Sequence, residues 1–277
     1  MLQFSKKDIN LQIKSINLQY QSLCYIDFED LQNNDIRLLT FKDLHEHHEM
    51  FIKNGCDKIK GKQSFSTVNK SLIVGEPDLP VISICSVPEL HVMEGITNHL
   101  YNNGMVPIFG RENLESCIKE IGVSLNPRGD AFNGNNSMKL LTNCRKLLEN
   151  DDIDDVAMTP FVEGMEALKN LVDLCFTASD FDEKNADKII DALTYLKQKY
   201  LACNVSITLK AHVIFCHVID ALKYSKGKQL GFLSEQCGEA IHFDFYKTWQ
   251  NYQVPVHSKN YEQKLLSAVV TYSSFHL

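Results

Sequence analysis

The chain has 277 residues, 44% of them hydrophobic, and a formal net charge of -7. That is enough apolar material for one large domain or two smaller ones with a true core. The acidic balance excludes the basic surplus of a free-standing DNA binder, although local basic patches stay open, and no apolar run reaches the roughly 18 residues of a membrane span.

Nine cysteines are scattered along the chain with no CxxC pair. The first ten residues are polar. Both features lead us to expect reduced thiols in an intracellular protein without a signal peptide.

Residues 1–36 read as short strands and turns, with apolar and aromatic residues near period two around Tyr20 to Phe28. Asp27, Glu29 and Asp30 close that stretch. An aspartate at a strand end can hold a metal, and a solvated acidic turn reads the same way. Residues 40–54 are expected to form a helix, with Thr40 and Asp43 as a capping box and Gly55 as the stop. Leu44, His47, His48, Phe51 and Ile52 would share its face. His45, His47 and His48 invite a metal, yet their spacing scatters them around the helix. The loop at 56–66 holds Lys58, Lys60 and Lys62, which suit phosphates or plain solvent.

Two β patterns follow, SLIVG and LPVISICSV. Pro88 then opens a helix running to about Asn103, buried through Leu90, Met93, Ile96 or Thr97, and Leu100. His91, Glu94 and Asn98 make a second stripe. A strand leading into this helix would set Glu89 and His91 at its carboxyl end, a frequent location for chemistry in α/β folds. Residues 104–134 look looser, with one short helix ended by Gly122 and a turn-rich loop after it. NGNNS is expected to cap a helix over 138–149 that displays Lys139, Arg145 and Lys146.

NDDIDD at 150–155 is an acidic linker without the glycine and terminal glutamate of a calcium loop. Helical patterns cover 159–176, with Pro160 at the start, and 182–200. Residues 209–224 are apolar almost all round and should be central; His212 and Cys216 share a face, whereas His212 and His217 do not. A basic hinge spans 225–231. The last helices, about 234–251 and 260–272, are anchored by Cys237, Ile241, Phe245, Trp249 and Tyr252. Glu235, Glu239 and His242 line up on the first of them, because residues three and four apart share a face.

Six blocks in succession carry a resemblance: FKDLHEHHEMFIKNG, PELHVMEGITNHLY, AFNGNNSMKLL, TLKAHVIFCHV, LGFLSEQCGEAIHFDFYKTWQNYQV and LLSAVVTYSSFHL. Over roughly residues 37–277 the chain resembles the carboxyl-terminal part of transposable-element proteins of arthropod and cnidarian genomes, similar to DDE-type, CACTA-like DNA transposases. The resemblance implies a nuclear protein with an α+β, predominantly helical fold: a remnant of a ribonuclease-H-like sheet in residues 1–88 and a mainly helical domain in 89–277. It implies two-metal phosphodiester chemistry with magnesium. Glu239 or Glu235 would be the last acid, with Asp27, Asp30 or Glu89 as its partners. Lys210, Lys226, Lys228, Lys139 and Arg145 are the cations expected to meet DNA. VISICSV lacks the aspartate expected on the strand before PELH, so a catalytically incomplete, truncated or repurposed remnant is expected, binding DNA, a protein partner or further copies of itself. Glu239 and His242 also fit the Glu-x-x-His spacing of di-iron bundles, but no second such motif accompanies them, and His91-x-x-Glu94 runs in the opposite order.

Overall fold

The computed structural model describes residues 37–55, 76–83, 87–126, 130–233, 244–255 and 257–276. The strands expected at 1–36, the lysine loop at 56–66 and the segment 234–243 lie outside them. The chain divides into two compact units, Ile16–Leu233 and Ser234–Leu277 with Met1–Ser15. The described residues are mostly helical. No strand occurs among them, and β pairing is confined to isolated bridges such as Thr40 with Pro80 and Asp180 with Lys228.

In the larger unit, helix α1 (Phe41–Lys53) starts where its sequence says it should. Thr40 Oγ1 accepts from the Asp43 N–H at 3.2 Å, and an Asp43 carboxylate oxygen accepts from the Thr40 N–H at 2.8 Å. Two further orphan donors of the first turn, the N–H groups of Phe41 and Lys42, reach the carbonyls of Leu79 and Pro77. The segment 76–83 thus returns along the start of α1. The strand expected across LPVISICSV is corrected here: Val81–Ser83 is a short 3-10 turn. Pro80 supplies the carbonyl that the Ser83 N–H meets at 2.9 Å, and the Val81 N–H binds Leu39 O at 2.8 Å. Val81 and Ile82 are buried all the same, because the turn packs on α7.

Helix α2 (Glu89–His99) does not stop near Asn103 as its sequence suggests. It widens into a π-helical stretch, Leu100–Met105, and ends with the turn Val106–Phe109. The widening falls just ahead of Pro107, which has no N–H and whose ring would strike the carbonyl four residues back in a regular helix. Gly104 is there for close approach: a Cβ on it would stand 2.4 Å from Phe161 Cε1 and 3.0 Å from Val205 Cγ1. The expected helix end is instead a contact point between packed elements.

Helix α3 (Arg111–Glu120) ends near Gly122, as expected. Helix α4 (Gly134–Asn143) begins four residues earlier than expected, because Asn133 caps it by accepting from the Asn136 N–H at 2.9 Å. It continues as the 3-10 helix Cys144–Glu149. Helix α5 (Asp155–Cys175) also starts early. Asp154, read as part of a solvated acidic linker, accepts from the N–H groups of Val156 and Ala157 and caps it. Pro160 therefore lies inside the helix, and its carbonyl accepts from the Cys203 thiol.

Helix α5 packs along α6 (Ala186–Ala202), and α7 (Leu209–Tyr224) closes the core against α2, α6 and the 81–83 turn. Ala211, Val213, Ile214, Val218, Ala221 and Leu222 of α7 are all buried, so its all-round apolar pattern places it centrally, as the sequence suggests. The basic hinge at 225–231 is a pinned turn. Phe181 N–H donates to Gly227 O, Gln229 N–H donates to Ser179 O, and Lys228 pairs with Asp180.

In the smaller unit, residues 244–250 form a helical turn and α8 (Tyr261–His276) a longer helix. Phe245 meets Tyr272 and Trp249 meets Tyr261, both edge to face at 5.7 Å, and the Tyr252 hydroxyl bonds Thr271 at 2.8 Å. No described helix is long and apolar enough to cross a membrane.

Gly104→Ala forces a methyl group into the Phe161 ring. We expect a loss of about 1–3 kcal/mol in urea unfolding, the usual cost of overpacking. An unchanged midpoint would show that the π-helical stretch does not press against α5.

Candidate functional site

Of the polar groups singled out in the sequence, Glu89, His91, Glu94 and Asn98 lie on α2 and Lys210, His212 and His217 on α7. Glu89 opens α2 and is only 6% exposed, between the fully buried Val87 and Val92. Pro88, at the cap position, provides no side-chain acceptor, so a carboxylate in the first turn compensates the positive end of the helix. Two residues on, His91 Nδ1 stands 3.8 Å from Glu94 Oε2, both half-buried. Glu94 also borders the start of α4, where a Cβ on Gly134 would come within 3.6 Å of its Oε1. Asn98 holds the loop ahead of α4 through two bonds: its amide donates to Phe132 O at 3.2 Å and its oxygen accepts from Phe132 N–H at 2.7 Å. Asn98 therefore fastens α2 to the loop before α4.

Lys210, one of the expected DNA contacts, stretches its methylenes across Gly95 of α2, where a Cβ would lie 2.1 Å from Lys210 Cδ. The aliphatic stem is packing material between α7 and α2. Arg145 forms a two-pronged ion pair with Glu166, with both N–H···O distances 2.6 Å, and Lys228 is held by Asp180. Lys139 and Lys226 are exposed. Lys226 and Lys228 share the 225–231 turn, while Lys139, Arg145 and Lys210 lie on other elements. Glu235, Glu239, His242, Asp27 and Asp30 lie outside the described residues.

The histidines of α1 diverge, as their spacing suggests. His45 faces Glu49 at 3.4 Å on the surface, while His47 is buried. Burial lowers the His47 pKa, against the opposing pull of Asp43 and Glu46. Among the described residues no group of three or more His, Cys, Asp or Glu side chains could hold a metal ion. The described cysteines 117, 144, 175, 203 and 216 are free thiols. Burial pushes Cys144, Cys175 and Cys203 up to about 12, so they are inert neutral thiols.

Sequence spacing missed one cluster. His212 and His217 are both buried, with ring centroids 5.0 Å apart in an edge-to-face arrangement. Five residues set them about 140° apart on a helix, which is why they read as unrelated. Side chains on a helix lean toward its N-terminus, so the His217 ring can swing back toward the turn that holds His212. His217 titrates at about 4, lowered by desolvation first and by His212 second, while Asp220 raises it. A second knot joins α2 to the α6–α7 loop: His99 Nε2 and the Tyr200 hydroxyl both reach Ser206 O, at 3.0 and 2.9 Å. Ser206 Oγ is also 3.3 Å from His99 Nε2. The bond to a carbonyl requires Nε2 to carry the proton, so His99 is a donor here and no base for that hydroxyl.

No family model matches the chain, and no curated protein matches its sequence.

His217 sets a pH dependence. Its folded pKa lies below its unfolded value, so its contribution is fully present above about pH 6.5 and is lost as the pH falls toward 4. We expect on the order of 3 kcal/mol to disappear across that window. Urea unfolding between pH 4.5 and 8 should give a flatter profile for His217→Gln than for the wild type, and parallel profiles would refute the assignment.

Proposed function

We propose that the chain is a transposase-derived protein that is catalytically incomplete and works by binding, with protein favoured over DNA as its partner. The burial of Glu89 carries this reading. A carboxylate of a two-metal site must offer its oxygens to ions that also reach a phosphodiester, and Glu89, in the first turn of α2, is only 6% exposed. The origin rests on the succession of blocks quoted above.

The preference for protein rests on the cations. Arg145 and Lys228 are spent on Glu166 and Asp180, and the stem of Lys210 is packed against Gly95. With a net charge of -7, a surface of this kind repels the phosphate backbone more than it attracts it.

The purified chain, incubated with supercoiled plasmid and Mg²⁺ or Mn²⁺, is expected to produce no nicked or joined product. DNA affinity should be weak and vanish by physiological salt. Metal-dependent nicking that disappears in Glu239→Gln or Glu89→Gln would replace this reading with an active DDE-type nuclease.

A further inference from the structure

Asparagine followed by glycine is a reactive step, because glycine has no side chain to shield its backbone nitrogen and turns easily. The step occurs in this chain at 54–55, 103–104 and 133–134. The glycine nitrogen attacks Cγ of the asparagine, its proton leaves with the side-chain amide as ammonia, and a cyclic succinimide forms. Water then opens the ring at either carbonyl and leaves aspartate or isoaspartate. No enzyme and no oxidant takes part. The backbone at the asparagine must turn to bring the two atoms together, so the cost of opening the local structure decides which step reacts.

The fold restrains two of the three. Asn103 and Gly104 lie within the π-helical stretch, and Gly104 is buried where a Cβ would stand 2.4 Å from Phe161 Cε1. Asn133 holds the start of α4 twice: its side chain accepts from Asn136 N–H at 2.9 Å and its carbonyl from Ser137 N–H at 2.8 Å. A Cβ on Gly134 would come 2.5 Å from Leu90 Cδ1. Asn54 and Gly55 differ on each count. Both are exposed, just past the end of α1. Gly55 takes φ +73°, and a Cβ on it would meet nothing within 4 Å among the described residues. The bonds that hold the pair are Gly55 N–H to Ile52 O at 3.0 Å and Asn54 Nδ2 to Met50 O at 2.8 Å, both at a helix end, where fraying is easiest. We propose that Asn54 is a modification site, the asparagine that the folded chain converts to aspartate and isoaspartate through a succinimide with Gly55. The product exchanges a donor to Met50 O for a carboxylate at the negative end of α1, which loosens its last turn. The inference is independent of what the chain binds.

The full chain is incubated at mildly alkaline pH, which favours loss of the proton from the attacking nitrogen, once folded and once in guanidinium. Peptide mapping by mass spectrometry locates each conversion, enzymatic methylation marks isoaspartate, and circular dichroism confirms that the folded sample keeps its helices. In guanidinium all three steps are open and should convert at similar rates. In the folded chain Asn54 should convert about tenfold faster or more than Asn103 and Asn133, a gap set by the cost of local opening. Asn54→Gln should remove that early product, because glutamine would have to close a larger ring. A folded chain in which Asn103 or Asn133 converts as fast as Asn54, or in which Asn54 is as protected as they are, overturns the proposal.

Discussion

The burial of helix α7 is the constraint from which the larger unit follows. Residues 209–224 are apolar on nearly every side, so the helix gains little by lying on a surface; most of it is buried, with Phe215 and Ile219 left half-buried. The cover comes from α2, α6 and the turn at 81–83. Val92 and Ile96 of α2, and Leu193 and Leu196 of α6, are buried. The 81–83 turn contributes Val81 and Ile82 while its neighbours cap α1.

Polar groups caught inside this arrangement are put to structural use. Glu89 answers a helix end, Asn98 replaces the missing backbone partners of Phe132, and Ser206 O collects donors from two helices. The His212–His217 pair is the exception in kind, because it places two ionisable rings in the core of the very helix that the rest covers. Burial and the neighbouring ring hold the His217 pKa down, which ties the stability of the unit to pH.

Most helices were legible in the sequence because their caps and periodicities agree. The Thr40–Asp43 box and the long apolar pattern of 209–224 each state one answer. The failures have identifiable causes. Asp154 reads as a linker acid because a cap and a solvated turn use the same residue. The helix from Pro88 was expected to end near Asn103 because a close helix contact at Gly104 and a π-helical stretch are tertiary events that local sequence does not show. VISICSV reads as a strand from its apolar run, yet its described beginning turns on Pro80, where the chain has to double back to α1. Of the candidate site, helical spacing placed His91, Glu94 and Asn98 on one stripe of α2, but the partner of Asn98 lies in the loop before α4, which local sequence does not place.

On this account Glu89 is an acid of the fold and the chain recognises a partner without cutting DNA. A Mn²⁺ titration followed through the amide resonances of residues 87–92 tests this most directly, because the paramagnetic ion broadens signals near any site that holds it. The account predicts that these resonances stay sharp at millimolar-range Mn²⁺, in the wild type and in Glu89→Gln alike. Selective broadening around Glu89 that Glu89→Gln abolishes would contradict it.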